Sequence, residues 1–402
     1  MSKKLIITKL NENIISSLYE ENQMIQVNVD PIQETSMLGN IYVGKVKNIV
    51  KNINAAFVEI EDKKMCYLSL AEVANPIYTS IPNTKVCIGD EFLVQISKED
   101  VKTKAPVCTT NISFTGKYMV LVHRKGKLGI SSKIESDAER KRLKKIVTPY
   151  LSEEYGLVIR TNAQGAEESL IVEELKGLVE EYQRVVTQGI YRTRFSLVYR
   201  TPRAYLCALR DNFSKELQEI VTDDLELYEQ MKEYLTIHQK EDLQKLRLYE
   251  DKQLALDKLY SIEHKLKNAL REKVWLDCGG TLIIQPTEAL TVIDVNTGKA
   301  VSKKKNIQET FLKVNLEAAK EIAKQIRLRN ISGIIIVDFI DMMSEDAKKQ
   351  LMTTLEGYLK LDPIKATLID MTALNLVEIT RKKVRKPLWE QMIKQEGDEQ
   401  DD

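Results

Sequence analysis

Two short apolar segments flanking one long amphipathic segment constrain the fold of this chain more than any other feature. The segments ALTVIDVN (289–296) and GIIIVDFI (333–340) have the length and the β-branched content of buried strands. Between them, residues 306–328 place apolar side chains such as Ala318 and Ile322 at helical intervals. This order predicts a β-α-β unit with both strands in one sheet.

Each of these predicted strands carries an acidic residue close to its end. Because side chains alternate faces along a strand, Asp294 and Asn296 point the same way, roughly 7 Å apart along the backbone. Asp338 interrupts the most apolar run in the chain, where an unpaired charge would be costly to bury. Strand parity turns Asp341 to the opposite side, which favours Asp338 as the functional carboxylate and Asp341 as a cap or turn residue.

The sulfur and imidazole content limits which metal these carboxylates could bind. The five cysteines are scattered and form no CxxC pair, and the three histidines are not at ligand spacing, which argues against zinc. Two carboxylates and an amide at neighbouring strand ends are the oxygen ligands that Mg²⁺ prefers. The spacing alone leaves open a structural role, in which the two aspartates cap helices or pair with one of three cations: Lys299, Lys303 and Arg327.

The rest of the chain divides into segments of different character. At 402 residues it is long enough for two or three cores. Residues 37–118 contain several short alternating strands, which predict a small barrel and fit a five-stranded OB fold. Residues 119–205 mix helices and strands and indicate a separate α/β module. Residues 214–273 are charged, with apolar residues at helical intervals, which predicts long helices.

Charge and hydropathy exclude some classes of protein. The net charge is +1 although 30% of residues are charged, so no global field indicates a nucleic-acid partner. Local basic clusters, such as 140–145 and 381–386, are, taken one at a time, more typical of solvated faces than of binding surfaces. The apolar runs are too short to span a membrane and the N-terminal segment lacks a signal-peptide core, so we expect a cytoplasmic protein.

Three segments of the last third resemble the catalytic signature of the ribonuclease E/G family. They are GGTLIIQPTEALTVIDVNTG, KQIRLRNISGIIIVDFIDM and, less closely, LVEITRKK. Upstream, GNIYVGKVKNIVKNINAAFVEI is similar to that family's RNA-binding S1-type barrel, and LVIRT is similar to its sensor of RNA 5′ ends. The similarity covers nearly the whole chain in the same order.

The resemblance implies an α+β, multi-domain fold. Residues 1–36 together with 206–272 would form an RNase H-like segment, into which an S1-type OB barrel (37–118) and a 5′-end sensor module (119–205) are inserted. An α/β DNase I-like catalytic domain (273–390) and an acidic tail (391–402) would follow.

The resemblance also implies a reaction and its residues. Asp294 and Asp338 would bind Mg²⁺, and Asn296 would orient one of them or the scissile phosphate. The activity implied is the internal hydrolysis of single-stranded RNA to 5′-phosphate and 3′-hydroxyl ends, in RNA processing and decay including rRNA maturation.

A second implied site recognises the RNA 5′ end. Arg160 and Thr161 would bind a 5′-monophosphate, which suits a guanidinium fork and a hydroxyl donor, and Leu128 would pack beside the terminal nucleotide. Without the resemblance, an arginine after an apolar strand more typically forms a surface ion pair.

A third implied site lies in the barrel, where Phe57, Tyr67 and Lys104 would bind single-stranded RNA by stacking and charge. Because the strand neighbours of Phe57 are apolar, it fits the barrel core equally well. Tyr67 is the stronger candidate for RNA binding.

Two other function classes and the oligomeric state stay open at this point. The chain could be a catalytically weak RNA-binding or ribosome-maturation protein that uses the fold as a clamp, or a metal-dependent deoxyribonuclease or phosphoesterase. In the family, a CPxC motif after the catalytic region shares zinc between two chains, but no cysteine follows Cys278 here. We therefore expect no zinc-linked tetramer, and a homodimer stays open.

Overall fold

The computed structural model describes residues 2–33, 36–61, 63–73, 75–99, 105–123, 128–211, 216–298 and 307–393. Contacts between Cα atoms divide the chain into two units. The first unit comprises Met1–Gln33, Glu216–Lys232 and Gln244–Asp402, and the second comprises Glu34–Lys215 and Glu233–Leu243. Lys104, Lys299, Lys303 and most of the predicted acidic tail lie outside the described residues.

The strands of the described residues, in chain order, are β1 (Lys3–Leu10), β2 (Asn13–Glu20), β3 (Gln23–Pro31), β4 (Ile41–Val50), β5 (Ala55–Glu61), β6 (Lys64–Ser69), β7 (Glu91–Lys98), β8 (Val107–Thr109), β9 (Ser113–Thr115), β10 (Met119–Val122), β11 (Leu128–Ile130), β12 (Gly156–Ile159), β13 (Leu197–Tyr199), β14 (Leu217–Thr222), β15 (Leu246–Leu248), β16 (Lys273–Trp275), β17 (Thr281–Pro286), β18 (Leu290–Asn296), β19 (Gly333–Asp338), β20 (Ala366–Met371) and β21 (Leu376–Arg381).

The α-helices of the same residues are α1 (Asp137–Val147), α2 (Glu168–Gly189), α3 (Ala204–Asp211), α4 (Leu225–His238), α5 (Leu256–Leu259), α6 (Ile262–Ala269), α7 (Ile307–Leu328), α8 (Glu345–Lys360) and α9 (Leu388–Ile393). None of the helices described is long and apolar enough to cross a membrane.

One sheet of the first unit joins the N-terminal strands to a later part of the chain, in the order β15-β14-β1-β2-β3. The β1–β2 hairpin turns at Asn11, whose φ of 53° lies in the left-handed region that asparagine tolerates. The prediction of long helices over 214–273 is wrong in part. That segment supplies strands β14 and β15, α5 has four residues and α6 has eight, and α4 is the one long helix of its described residues.

The other sheet of the first unit has six strands in the order β16-β17-β18-β19-β21-β20. Strands β18 and β19 are parallel neighbours and α7 connects them, which confirms the predicted β-α-β unit. Helices α7 and α8 cover one face of this sheet and form its core with alternate strand residues such as Ile293 and Val337. Helix α8 begins after Ser344, whose hydroxyl accepts the N–H of Ala347.

The second unit contains a closed five-strand barrel. Strands β4, β5, β6, β8 and β7 pair in sequence, and β7 pairs with β4 to close the ring. Its core consists of inward-facing residues such as Val46, Val58 and Phe92. The barrel predicted within 37–118 is confirmed, with OB-like closure.

A four-stranded sheet, in the order β11-β12-β10-β9, forms another part of the second unit. Helices α1 and α2 pack on it through residues such as Leu143, Leu175 and Leu178. Helix α1 begins after Ser136, whose hydroxyl accepts the N–H of Glu139. This arrangement agrees with the mixed helix and strand content predicted for 119–205.

Candidate active site

Asp294 and Asp338 are direct neighbours on adjacent strands. The parallel pairing of β18 and β19 runs in register from Leu290 opposite Ile334 to Asp294 opposite Asp338, about 4.8 Å apart between strands. Ile293, the residue before Asp294, is fully buried against the helices. Because side chains alternate along a strand, the two carboxylates project from the opposite, open face. The structure therefore brings together the two carboxylates that the sequence selected.

Asn296 completes this group because its side-chain amide donates a hydrogen bond to Oδ2 of Asp294. The strand ends in a tight turn at Gly298, whose φ is +52°. A Cβ at that position would lie 2.4 Å from the carbonyl oxygen of Gly279, so a side chain would push apart the turn that follows Asn296. This close packing fixes the end of β18.

The electrostatics of the pair favour a bound cation. Partial burial raises the pKa of the Asp338 carboxyl, and the negative charges of Asp294 and Asp341 raise it further. Among the described residues, no group of three or more His, Cys, Asp or Glu side chains is arranged to hold a metal. A metal at this site would thus have two carboxylate ligands and would depend on water or substrate oxygens for the rest, which is a common arrangement for Mg²⁺.

Of the three cations considered as structural partners of the two aspartates, Lys299 and Lys303 lie outside the described residues, and only Arg327 can be compared with the prediction. Arg327 donates to Oε1 of Gln26 from Nε and Nη2, at 3.1 and 3.0 Å, rather than to an aspartate. Neither Asp294 nor Asp338 takes part in an ion pair of the described part of the chain.

Asp341 differs from its predicted geometry. Strand β19 ends at Asp338, so Asp341 lies in the following loop and strand parity does not apply to it. Its Oδ1 accepts a hydrogen bond of 3.2 Å from Nδ2 of Asn375, which agrees with a turn role. Its effect on the pKa of Asp338 shows that its charge still acts on the pair.

The predicted sensor residues lie in the second unit and are held by internal contacts. Nη1 of Arg160 donates to the carbonyl oxygen of Gly116 at 2.6 Å, and Nη2 donates to Oδ1 of Asp211 at 2.9 Å. The hydroxyl groups of Thr161 and Ser131 are hydrogen-bonded at 2.9 Å. Arg160 therefore does form an ion pair, as an arginine at the end of an apolar strand often does.

Asp211 is a strong counterion for Arg160. Burial acts to raise the pKa of its carboxyl, but the charges and hydrogen bonds of Arg210 and Arg160 outweigh that effect and hold the pKa below its usual range. Arg210 contacts the carboxylate through Nε and Nη2, both at 3.0 Å. An anionic ligand of Arg160 would have to compete with this carboxylate.

The turn beside Arg160 is fixed by a second carboxylate. Glu174 of α2 accepts the backbone N–H groups of Lys117, Tyr118 and Met119 at 2.6, 2.8 and 3.0 Å. Burial raises the pKa of this carboxyl, and the three N–H donors oppose the rise. The carbonyl that Arg160 contacts is thus part of a rigid turn.

Leu128 opens strand β11 and lines a cavity of about 370 Å³. Ile130, Asp137, Arg140, Lys141 and Lys144 form the rest of its wall. The lining therefore combines two apolar side chains with three basic ones and one acidic one, which is compatible with the role that the resemblance implies for Leu128.

Phe57 and Tyr67 are paired across β5 and β6 of the barrel. Their rings form an edge contact with centroids 6.2 Å apart, and both side chains are partly exposed. The barrel core is formed by their strand neighbours Val58 and Cys66, which face the other way. Phe57 is therefore outside the barrel core, and the alternative that buried it there is wrong.

Comparison with known proteins decides the family. A model of the ribonuclease E/G family matches residues 113–384, and a model of the S1 RNA binding domain matches residues 35–110. Ribonuclease G of Escherichia coli K12 is 34% identical over 382 residues, which cover 90% of this chain and 76% of that protein. The chain belongs to the ribonuclease E/G family.

Other curated relatives agree with this assignment. Ribonuclease G of Haemophilus influenzae is 33% identical and is matched over 94% of this chain and 79% of its own length. Ribonuclease E of Synechocystis is 33% identical, over 97% of this chain and 58% of its own length.

One residue near the site was not singled out from the sequence as functional. Asn315 of α7 is fully buried, and its Nδ2 donates to the carbonyl oxygen of Ile340 at 2.8 Å while its Oδ1 accepts the N–H of Ile340 at 3.1 Å. This pair of bonds fixes the backbone two residues after Asp338, so Asn315 holds the loop that follows β19. The available signal was an asparagine on the apolar face of the predicted helix.

Two residues of the segments similar to the ribonuclease E/G family have structural roles. Arg381 is buried and donates to both carboxylate oxygens of Asp362, at 2.8 and 3.3 Å, and to Oδ1 of Asn330 at 2.8 Å. A buried, bidentate pair of this kind fixes geometry. These contacts connect the end of β21 with the loop that precedes β19.

Proposed function

We propose that this chain is a Mg²⁺-dependent endoribonuclease that hydrolyses single-stranded RNA at Asp294 and Asp338 and prefers a 5′-monophosphate end. Membership of the ribonuclease E/G family makes it an endoribonuclease with a role in RNA processing. The observation that carries the proposal is the direct register of the two carboxylates on the open face of the sheet. The products would have 5′-phosphate and 3′-hydroxyl ends, and rRNA precursors would be among the substrates.

The donor set fits Mg²⁺. Asp294 and Asp338 would hold the ion, since their oxygen atoms are hard ligands and their mutual repulsion is relieved by a divalent cation. A bound Mg²⁺ would stabilise charge on the phosphodiester and favour ionisation of the attacking water. The amide of Asn296 orients the Asp294 carboxylate through its hydrogen bond, and Asn315 holds the loop after Asp338 in place.

The RNA 5′ end would be recognised in the second unit. The guanidinium of Arg160 and the hydroxyl of Thr161 supply donors for a terminal phosphate, and Leu128 supplies an apolar wall for the nucleotide. A monophosphate carries more charge than an internal phosphate, so it can compete better with Asp211 for Arg160.

The barrel would bind the strand in a sequence-tolerant way. Phe57 and Tyr67 present a partly exposed pair of rings on adjacent strands, which is suited to base stacking. Lys104, outside the described residues, would add a phosphate contact.

The finer assignments of fold and location are also part of this proposal. The β15-β14-β1-β2-β3 sheet would be the RNase H-like segment, and the six-stranded sheet with α7 and α8 would be the DNase I-like catalytic domain. We place the reaction in the cytoplasm, and a homodimer is compatible with it.

A cleavage assay tests the proposal. Single-stranded RNA and DNA of the same sequence are incubated with the protein in Mg²⁺ and in EDTA, and the product ends are mapped. We expect cuts within RNA only, in Mg²⁺ only, with 5′-phosphate and 3′-hydroxyl ends. Equal cleavage of DNA would favour a general phosphoesterase, and tight RNA binding without cleavage would favour an RNA-binding clamp.

A further inference from the structure

An exposed tryptophan lies on the edge strand of the catalytic sheet. Trp275 in β16 keeps 60% of its surface exposed, although the ammonium group of Lys273 lies 4.5 Å from the centroid of its ring. An exposed indole is unusual, because burying a ring of this size is strongly favourable. No other role for this pair follows from the contacts of the described residues.

The register of the sheet relates Trp275 to the carboxylate site. Trp275 is paired with Thr281 of β17, and Thr281 is paired with Asn296 of β18. Directly paired residues project from the same face, so Trp275 is on the same face as Asn296 and Asp294. Two strand spacings separate Trp275 from Asn296, a distance of about 10 Å.

The burial of the neighbouring residues supports this orientation. Val274 packs against the core of the sheet, and Leu282 and Val295 are buried in it. These residues alternate with Trp275, Thr281 and Asn296 along their strands. The indole and the carboxylates therefore share the face that α7 and α8 leave open.

The chemistry of the pair matches a nucleic-acid strand better than a protein surface. An indole face stacks on any base, and the Lys273 ammonium is complementary to a phosphate. An RNA strand that reaches Asp294 and Asp338 must pass over this open face of the sheet. A second copy of the chain would instead have to bury the Lys273 charge, which is costly unless that charge is paired.

We propose that Trp275 is a stacking platform that holds one base of the RNA substrate a few nucleotides from the phosphate at Asp294 and Asp338. Lys273 orients the ring and contacts the strand's phosphates. The inference rests on the proposed function of the carboxylates. It assigns Trp275 a positioning role, because the indole would contact substrate without contacting the reacting atoms.

Intrinsic fluorescence tests the platform without relying on cleavage. The chain has two tryptophans, so Trp389→Phe leaves Trp275 as the only indole. Single-stranded RNA is titrated into this variant in EDTA, and the emission is recorded at several protein concentrations. We expect saturable quenching that depends on RNA concentration. The proposal is overturned if RNA binds without quenching the emission. It is also overturned if the emission changes only with protein concentration, as it would if a second copy of the chain covered Trp275.

Affinity measurements give a second readout in the same buffer. Trp275→Ala should weaken RNA binding roughly 5- to 150-fold, the equivalent of about 1–3 kcal/mol for one stacked base, and Trp275→Phe should retain most of the affinity. Tyr191→Ala is the matched control, since Tyr191 is also an exposed aromatic residue (85%) and has no proposed role. An unchanged affinity for Trp275→Ala, or an equal loss for Tyr191→Ala, contradicts the platform.

A substrate scan locates the stacked base. RNAs with a single abasic nucleotide at successive positions near the cut are compared between the wild type and Trp275→Ala for KM and kcat. An abasic nucleotide at one position should raise the KM of the wild type and should have little further effect on the KM of Trp275→Ala. If both proteins respond alike at every position, the platform is absent. If Asp338→Asn still cleaves RNA while quenching is intact, the carboxylate assignment fails, and Trp275 is retained only as an RNA contact.

Discussion

The carboxylate pair of the first unit and the Arg160 site of the second unit are assembled in different ways. Asp294 and Asp338 become neighbours through the backbone pairing of β18 with β19, and their open side needs a cation or substrate to balance the charge. Arg160 is already balanced, because Gly116 and Asp211 accept its hydrogen bonds. If the proposed ligands bind, a cation would relieve repulsion at the first site, and a terminal phosphate would have to displace an existing ion pair at the second.

This difference sets the size of the effects expected from mutation. When a carboxylate is removed and no other group takes its place, the whole of its interaction energy with the ligand is lost. Arg160, in contrast, would exchange Asp211 for a phosphate, so its removal costs only the difference in free energy between the two interactions. We expect large losses at the carboxylates and small ones at the sensor. The predictions that follow test this order.

The largest effect is expected for Asp294→Asn or Asp338→Asn. Removal of one ligand carboxylate weakens Mg²⁺ binding and the stabilisation of the transition state, so the cleavage rate should fall by about 10³-fold or more. RNA affinity, measured by fluorescence anisotropy, should change little. Asp341→Asn is the matched control, since Asp341 is bonded to Asn375 in the loop, and it should lose far less activity. Near-normal turnover in either strand variant would refute the carboxylate assignment.

A smaller effect is expected for Asn315→Leu. The substitution leaves both backbone groups of the half-buried Ile340 without their partners, which should lower the free energy of unfolding by about 1–3 kcal/mol. Turnover should fall because the loop after Asp338 loses its support, while RNA affinity stays constant. Urea unfolding and steady-state kinetics measure the two effects.

Gln308→Ala is a suitable comparison for that variant. Oε1 of Gln308 accepts the N–H of Met343 at 3.1 Å in an exposed setting, where water can replace it. Its effect on stability should be close to zero. Equal losses in Gln308→Ala and Asn315→Leu would show that the buried pair with Ile340 has no special role.

The sequence could predict that the two carboxylates lie together, because their positions follow from strand periodicity and from the order of the secondary-structure elements. Strand periodicity places Asp294 and Asn296 on one face, and the β-α-β order brings Asp338 beside them. The same kind of reasoning failed for Asp341, because it needed the strand to continue beyond Asp338. It also failed in part for 214–273, because this charged segment, with apolar residues at helical intervals, contains the edge strand β15 as well as helices.

The contacts of Arg160 could not be read from the sequence, because they depend on how side chains and turns of separate elements meet and not on the pairing of predicted strands. Arg160 and Asp211 are 51 residues apart, and Arg160 and Gly116 are 44 apart. No local period relates such pairs, so the sequence could supply Arg160 but neither of its partners. Resemblance to a family supplied the candidate Arg160, and the structure shows its counterion Asp211.

The Phe57 and Tyr67 pair allows a test of whether another site placed by the pairing of adjacent strands is also sensitive to mutation. Both rings are placed by direct pairing of β5 with β6, as Asp294 and Asp338 are placed by β18 and β19. Tyr67→Ala should weaken single-stranded RNA binding by about 1–3 kcal/mol, and binding should fall as salt is raised. Tyr67→Phe keeps the ring and should keep most of the affinity. Unchanged binding by a folded Tyr67→Ala protein would make the ring pair structural.

The smallest effect is expected at Arg160, because a terminal phosphate would replace Asp211 rather than fill an empty position. Arg160→Ala should lower the ratio of cleavage rates for 5′-monophosphate over 5′-hydroxyl RNA by roughly 2- to 10-fold, the net value of about 0.5–1.5 kcal/mol for exchanged hydrogen bonds. The rate on 5′-hydroxyl RNA should stay the same, since that end offers no phosphate.

Asp211→Asn separates competition from orientation. The amide oxygen keeps the acceptor at Oδ1 for Arg160 and for Nε of Arg210, but the substitution removes the negative charge and the Oδ2 acceptor of Arg210 Nη2. A competing role of Asp211 therefore predicts a higher preference for the monophosphate. Both RNAs are cleaved by the wild type and by each variant under the same conditions. A fall in preference for Asp211→Asn, similar to that of Arg160→Ala, would mean that the carboxylate orients the guanidinium for the phosphate. A wild type without any preference would remove Arg160 from the function altogether and leave its ion pair as a structural contact.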